Sequence, residues 1–187
     1  GQLKLTESKF YRVTGSGMQN RGVEPDITLP STWDIEESGE SALDSALPWD
    51  QIRPTPFRKF KINKSALDRL KVAHEKRMLE SPDLQYILNL RKRYDEQQEK
   101  TSISINLDTR RAEKIDRQLW ALATENQRRA AKNLETFETF EGLEEFNKDK
   151  EEDIDIDLEN DYLLNEGMLI LSDYLYLNNN LLLSEAA

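Results

Sequence analysis

The 187-residue chain has no cysteine and a single histidine, His74. The first absence excludes disulfides and thiolate metal sites, and leaves the compartment open. A Ser-His-Asp triad would have to use His74, which lies among charged residues on what reads as an ordinary amphipathic helix. A zinc site needs three or four clustered His, Cys or carboxylate ligands, and the pattern offers none. Glycine is scarce, with seven in the chain. None builds a phosphate loop: GSGMQNRG at 15–22 lacks both the following helix and the Lys-Ser/Thr pair. Long apolar runs are missing too. LLL at 181–183 is far short of the ~20 residues a membrane helix needs, so no transmembrane segment is expected. The hydrophobic share of 37% lies below the usual ~45–50%, which implies a modest core and a heavily solvated surface.

What is abundant is charge, unevenly placed. The net charge is −10. Residues 135–187 hold 16 acidic and 2 basic side chains, a net of −14, so the first 134 residues carry +4. An acidic tail repels phosphate backbones, which argues against a nucleic-acid partner. The basic groups at Arg58, Lys59, Lys61 and Lys64, at Arg91, Lys92 and Arg93, at Arg110 and Arg111, and at Arg128 and Arg129 read as solvated helix faces or as partners of the acidic tail. Asp153, Asp155, Asp157 and Glu159 alternate with Ile154, Ile156 and Leu158. That alternation hints at a calcium loop but lacks the turn glycine and the distant bidentate Glu, so it reads as a solvated acidic strip.

Along the chain, residues 1–30 have β character. Leu3 and Leu5 alternate with Lys4 and Thr6, Phe10, Tyr11 and Val13 follow, and Ile27–Leu29 forms a second short run. GSG at 15–17 supplies the positive-φ residues of a tight reversal. Residues 31–56 have linker composition, with ALPWD at 46–50 as an apolar anchor. Helices dominate 57–187. The first places Leu67, Leu70, Ala73 and Met78 on one face. Ser81-Pro82-Asp83 opens the second as N-cap, N1 and dipole partner, and its stripe is Leu84, Ile87, Leu88 and Tyr94. TSISINLD at 101–108 alternates as a strand or extended segment. Asp108 or Thr109 then caps a long helix with Ala112, Ile115, Leu119, Leu122 and Ala123 inward. Residues 147–160 are acidic and of low complexity, and a last helix spans about Asp161 to Leu177. The fold class expected is α+β, a few N-terminal strands followed by a mainly helical region.

LKLTESKFYRVTGSGMQNRGVEPDITLP at 3–30 resembles the end of the protease core in tail-specific proteases, the C-terminal processing peptidases of bacteria. The matching pieces are Leu3-Lys4-Leu5-Thr6, Lys9-Phe10-Tyr11-Arg12, the Gly-Ser-Gly turn, Gln19, Gly22-Val23 and Pro25-Asp26-Ile27. ALPWD at 46–50 resembles the start of the helical region in long members of that family; SISIN at 102–106 and DYLLNEG at 161–167 resemble it less specifically. The resemblance implies a periplasmic serine endopeptidase with a Ser/Lys dyad, in which burial keeps the lysine neutral enough to act as base. Both dyad motifs and the PDZ-like domain lie upstream of the matching segment in the family. Gly1 begins mid-pattern with no initiator Met or signal peptide, as expected of a closing piece. No catalytic, cofactor-binding or metal-ligating residue is therefore assigned, and no cofactor is expected. The implied role is to brace or gate the protease core. Its partners would be protein substrates and the rest of the protease chain. The alternative is a helical module that docks an adaptor or substrate through Trp49, Trp120 and the aromatics of 137–146.

Overall fold

The computed structural model describes residues 1, 7–32, 39–58, 63–152 and 161–185. Five α-helices follow a single 3-10 turn at Glu40–Ala42: α1 Lys64–Glu80, α2 Pro82–Gln98, α3 Leu107–Ala131, α4 Phe140–Glu152 and α5 Tyr162–Glu185. The chain forms two compact units, Gly1–Leu29 with Trp33–Leu67, and Pro30–Thr32 with Asp68–Ala187.

The α+β expectation is overturned: the regular structure of the described residues is helical, with no strand or sheet among them. The expected strand Leu3–Val13 lies partly outside the described residues, at 2–6. Its remainder, and Ile27–Leu29, form no strand. Pairing is confined to two isolated antiparallel bridges, Tyr11 with Gly17 and Ser16 with Gln51. The physical reason is the lack of a sheet to join, because a pair of short strands is at best marginal in water. Pro25 and Pro30 each remove a ladder donor as well.

Local sequence explains the helix boundaries. At α2, the Ser81 hydroxyl accepts from the Leu84 N–H at 3.4 Å, with Pro82 at N1. At α3 the cap is Asn106, two or three residues earlier than expected; its Oδ1 accepts from the N–H groups of Asp108 (2.9 Å) and Thr109 (3.1 Å). Residues 101–106 form neither strand nor helix. Asn133, at φ 55°, ends α3 in the left-handed region. There the Leu134 N–H reaches the Arg129 carbonyl (2.9 Å) and the Asn133 N–H reaches that of Ala130 (3.1 Å), a Schellman arrangement. At α5, Asp161 Oδ1 accepts from Leu163 and Leu164 N–H, and the helix runs on past Leu177 to Glu185.

The apolar core is thin. Ala66, Leu70, Leu84, Ile87, Leu143 and Leu177 are its buried members among the described residues. α2 packs on α3, and α3 on α4. The inward face expected for α3 is not the one used. Ile115 and Leu119 are 56% and 61% exposed, and the buried residue of that helix is Glu125. In α1 the buried positions fall on Ala66, Leu70 and His74, spaced one turn apart.

Candidate functional site

Within the first unit, the N-terminal reversal and the ALPWD segment form one backbone-built knot. The chain turns tightly at 12–16, with Gly15 N–H on the Arg12 carbonyl (2.8 Å) and Arg12 N–H on that of Ser16 (3.0 Å). Residues 50–55 then lie alongside. Gly17 N–H donates to the Asp50 carbonyl (3.0 Å), Ile52 N–H to that of Gly15 (2.8 Å), and Thr55 N–H to that of Val13 (3.0 Å). Both glycines are needed. Gly15 has φ +82°, and a Cβ there would lie 2.0 Å from the Ile52 carbonyl oxygen; at Gly17 a Cβ would lie 2.8 Å from that of Asp50. Side chains complete the knot. Trp49 Nε1 donates to the Gly17 carbonyl (2.9 Å), and the Tyr11 hydroxyl to Asp50 Oδ2 (3.0 Å). Lys9 Nζ bonds the Pro48 carbonyl (3.2 Å) and lies 3.4 Å from Asp50. Burial, then the hydrogen bond and charge of Asp50, push the Tyr11 phenol upward.

In the second unit, charge does the joining. Glu166 of α5 is 3% exposed and faces α1. Its Oε1 meets His74 Nδ1 at 2.8 Å, and Arg77 Nε contacts both its oxygens, at 2.9 and 3.0 Å. Arg77 Nη1 also reaches Asp173, two turns further along α5, at 2.8 Å. Burial acts to lower the Arg77 guanidinium, but its bonds to Asp173 and Glu166 outweigh that and raise it. Between α2 and α3, Asp83 accepts from Lys132 Nζ (2.9 Å) and pairs with Arg128 Nε (3.0 Å). Arg128 also binds Glu125 (3.2 Å) and covers the Tyr86 ring at 4.9 Å. These networks fix geometry, because removing a member strands a largely buried charge; Arg77 Nη2 and Arg128 Nε make no hydrogen bond within them.

His74 is thus a buried strut, and its Nδ1 is committed to Glu166. Among the described residues no group of three or more His, Cys, Asp or Glu is placed to hold a metal ion. The acidic alternation at 153–159 lies outside the described residues. Of the aromatics considered for docking, Trp49 is bonded to Gly17, and Trp120 lies under Arg93 at 5.3 Å. Phe137 and Phe146 pack at 5.3 Å with Arg129 over both rings. These rings serve internal contacts.

Sequence reasoning missed Arg77, Glu166 and Asp173. A signal was present: Glu166 and Asp173 are the two acids in an otherwise apolar or amide-rich stretch from 162 to 183, seven residues apart and so on one face.

Residues 33–176 match the family described as the C-terminal domain of tail specific protease. The tail-specific protease of Haemophilus influenzae is 29% identical over 189 residues, an alignment that takes in 100% of this chain and 26% of that protein. The chain therefore spans about a quarter of the length of the curated relative it matches.

Proposed function

Because this chain belongs to the family of C-terminal domains of tail-specific proteases, we propose that it is the non-catalytic closing region of a periplasmic serine endopeptidase, and that it braces or gates that enzyme's core. The reacting serine and its lysine base lie upstream in this reading. The substrates are proteins selected by apolar C-termini. The observation that carries it is the knot in the first unit. The segment resembling the end of a protease core is bonded at Gly17 to Trp49 and Asp50 of the ALPWD segment (46–50), which resembles the start of the helical region, and the residues just after it continue the pairing through Ile52 and Thr55. A helical region anchored in that way can hold a polypeptide near a dyad and raise its effective concentration without contributing a reacting atom. No helix among the described residues is long and apolar enough to cross a membrane.

The test is to remove residues 68–187 from the intact protease and measure turnover of a folded protein and of a short peptide. Loss on the folded protein with the peptide rate retained supports gating, and loss on both supports bracing. Unchanged rates on both reject the proposal. A second reading, a module that docks an adaptor or substrate protein, is favoured by the apolar side chains left exposed at Ile103, Ile105 and Leu107.

A further inference from the structure

A cleft of about 520 Å³ lies between the end of α2, segment 101–106 and the first turns of α3. Arg93, Lys100, Ser102, Ile103, Ala112 and Arg117 are among its walls. The rim formed by 101–105 has unusual backbone status. Among the described residues none of its N–H or C=O groups has a backbone partner. Its side chains alternate Ser and Ile, and Ile103 and Ile105 are 73% and 101% exposed. The site's frame is set by neighbours: Asn106 caps α3 and fixes the end of the segment, and Arg93 ties α2 to Asp116 of α3 at 2.6 Å.

The charges in the cleft are asymmetric. Arg110 is paired with Glu113 and Arg93 with Asp116. Lys100 and Arg117, by contrast, have no carboxylate partner among the described residues. Residues 101–105 belong to no sheet, but their unpaired backbone groups and alternating apolar side chains are the features an added strand pairs with. Two cations with no carboxylate partner among the described residues lie beside this segment and favour acid.

We propose that residues 101–105 form a docking edge for an extended, acidic polypeptide segment of another protein, which adds as a strand along 101–105 and places its carboxylates against Lys100 and Arg117. Two other occupants fit worse. A second copy of the same edge would bring its own Lys100 and Arg117 against these, and like charges oppose pairing. A phosphate backbone has no use for the exposed isoleucines. The edge functions whether or not the domain braces a protease core.

The test uses the full chain and a fluorescent peptide of about eight residues alternating Glu and Val, long enough for one strand. Anisotropy titration should give saturable binding that weakens with salt. The double variant Lys100→Glu/Arg117→Glu should weaken it about tenfold or more and instead favour a Lys-Val peptide. Ile103→Asp/Ile105→Asp should also weaken it. N-methylating alternate peptide nitrogens should abolish binding, since it removes the donors a strand needs. On the unsubstituted protein, NMR shift changes should fall on 100–107 and 110–117, which locates the site without any variant. No saturable binding, equal affinity for the Lys-Val peptide, tolerance of N-methylation, or shift changes elsewhere would each overturn the proposal.

Discussion

Residues 9–17 and 48–55 are held by main chain meeting main chain across two glycines. Helices α1, α2, α3 and α5 are held by charged side chains reaching from one helix to the next. Both devices serve a chain with little apolar material to bury. The first depends on the absence of side chains at two positions, so it is sensitive to added atoms. The second depends on complementary charges at defined spacing, so it is sensitive to atoms removed. Substitutions therefore divide the regions by sign, additions damaging one and deletions the other.

The sharpest break should come from Glu166→Ala, which leaves Arg77 and His74 facing each other in a buried place. Removing one member of a buried pair costs about 3 kcal/mol, so the denaturant midpoint followed by circular dichroism should fall well below that of Glu166→Gln, which keeps shape and one acceptor. Equal midpoints for the two variants would mean that charge contributes little. Gly15→Ala is next, at about 2 kcal/mol, from a side chain forced into the left-handed region and against the Ile52 carbonyl. Loss of amide protection at Gly17 and Ile52, with α2 and α3 unaffected, would confine the damage to the first unit. Asn106→Ala should cost about 1 kcal/mol through the lost cap and fray the start of α3 in hydrogen exchange. Unchanged exchange at Asp108 and Thr109 would refute the cap.

The smallest effect is expected at high pH. Burial first, then Glu125, pushes the Tyr86 phenol up, with Arg128 opposing. A group whose folded value exceeds its unfolded ~10 contributes stability that is complete below that pH and lost as pH rises through the folded value. Tyr86→Phe should therefore have a melting temperature less sensitive to alkali above pH ~10 than the parent protein. Identical alkaline slopes would show that the phenol ionises without penalty.

The helices were legible where a cap and a breaker stood together, as at Ser81-Pro82-Asp83, whose roles depend on immediate neighbours alone. α3 was read with the wrong cap because Ile103, Ile105 and Leu107 continue a two-residue alternation across the true boundary, and that pattern outweighed Asn106. Its buried face was misread for a different reason. Ile115 and Leu119 follow helical spacing correctly, but periodicity gives a stripe and not what covers it, and these two are exposed. The strand reading of 1–30 failed because β character in a segment describes what it would do beside a sheet. The His74–Glu166 contact joins residues 92 positions apart, a separation that no local pattern encodes.

The knot between Gly17 and Trp49 also closes a ring without a covalent link. A peptide bond cut anywhere from Met18 to Pro48 would leave two fragments still clasped at Gly15–Gly17 and Trp49–Ile52, co-migrating until denatured. Insertions in the same interval should be tolerated, since doubling the length of such a ring costs only about 0.6 kcal/mol in closure entropy.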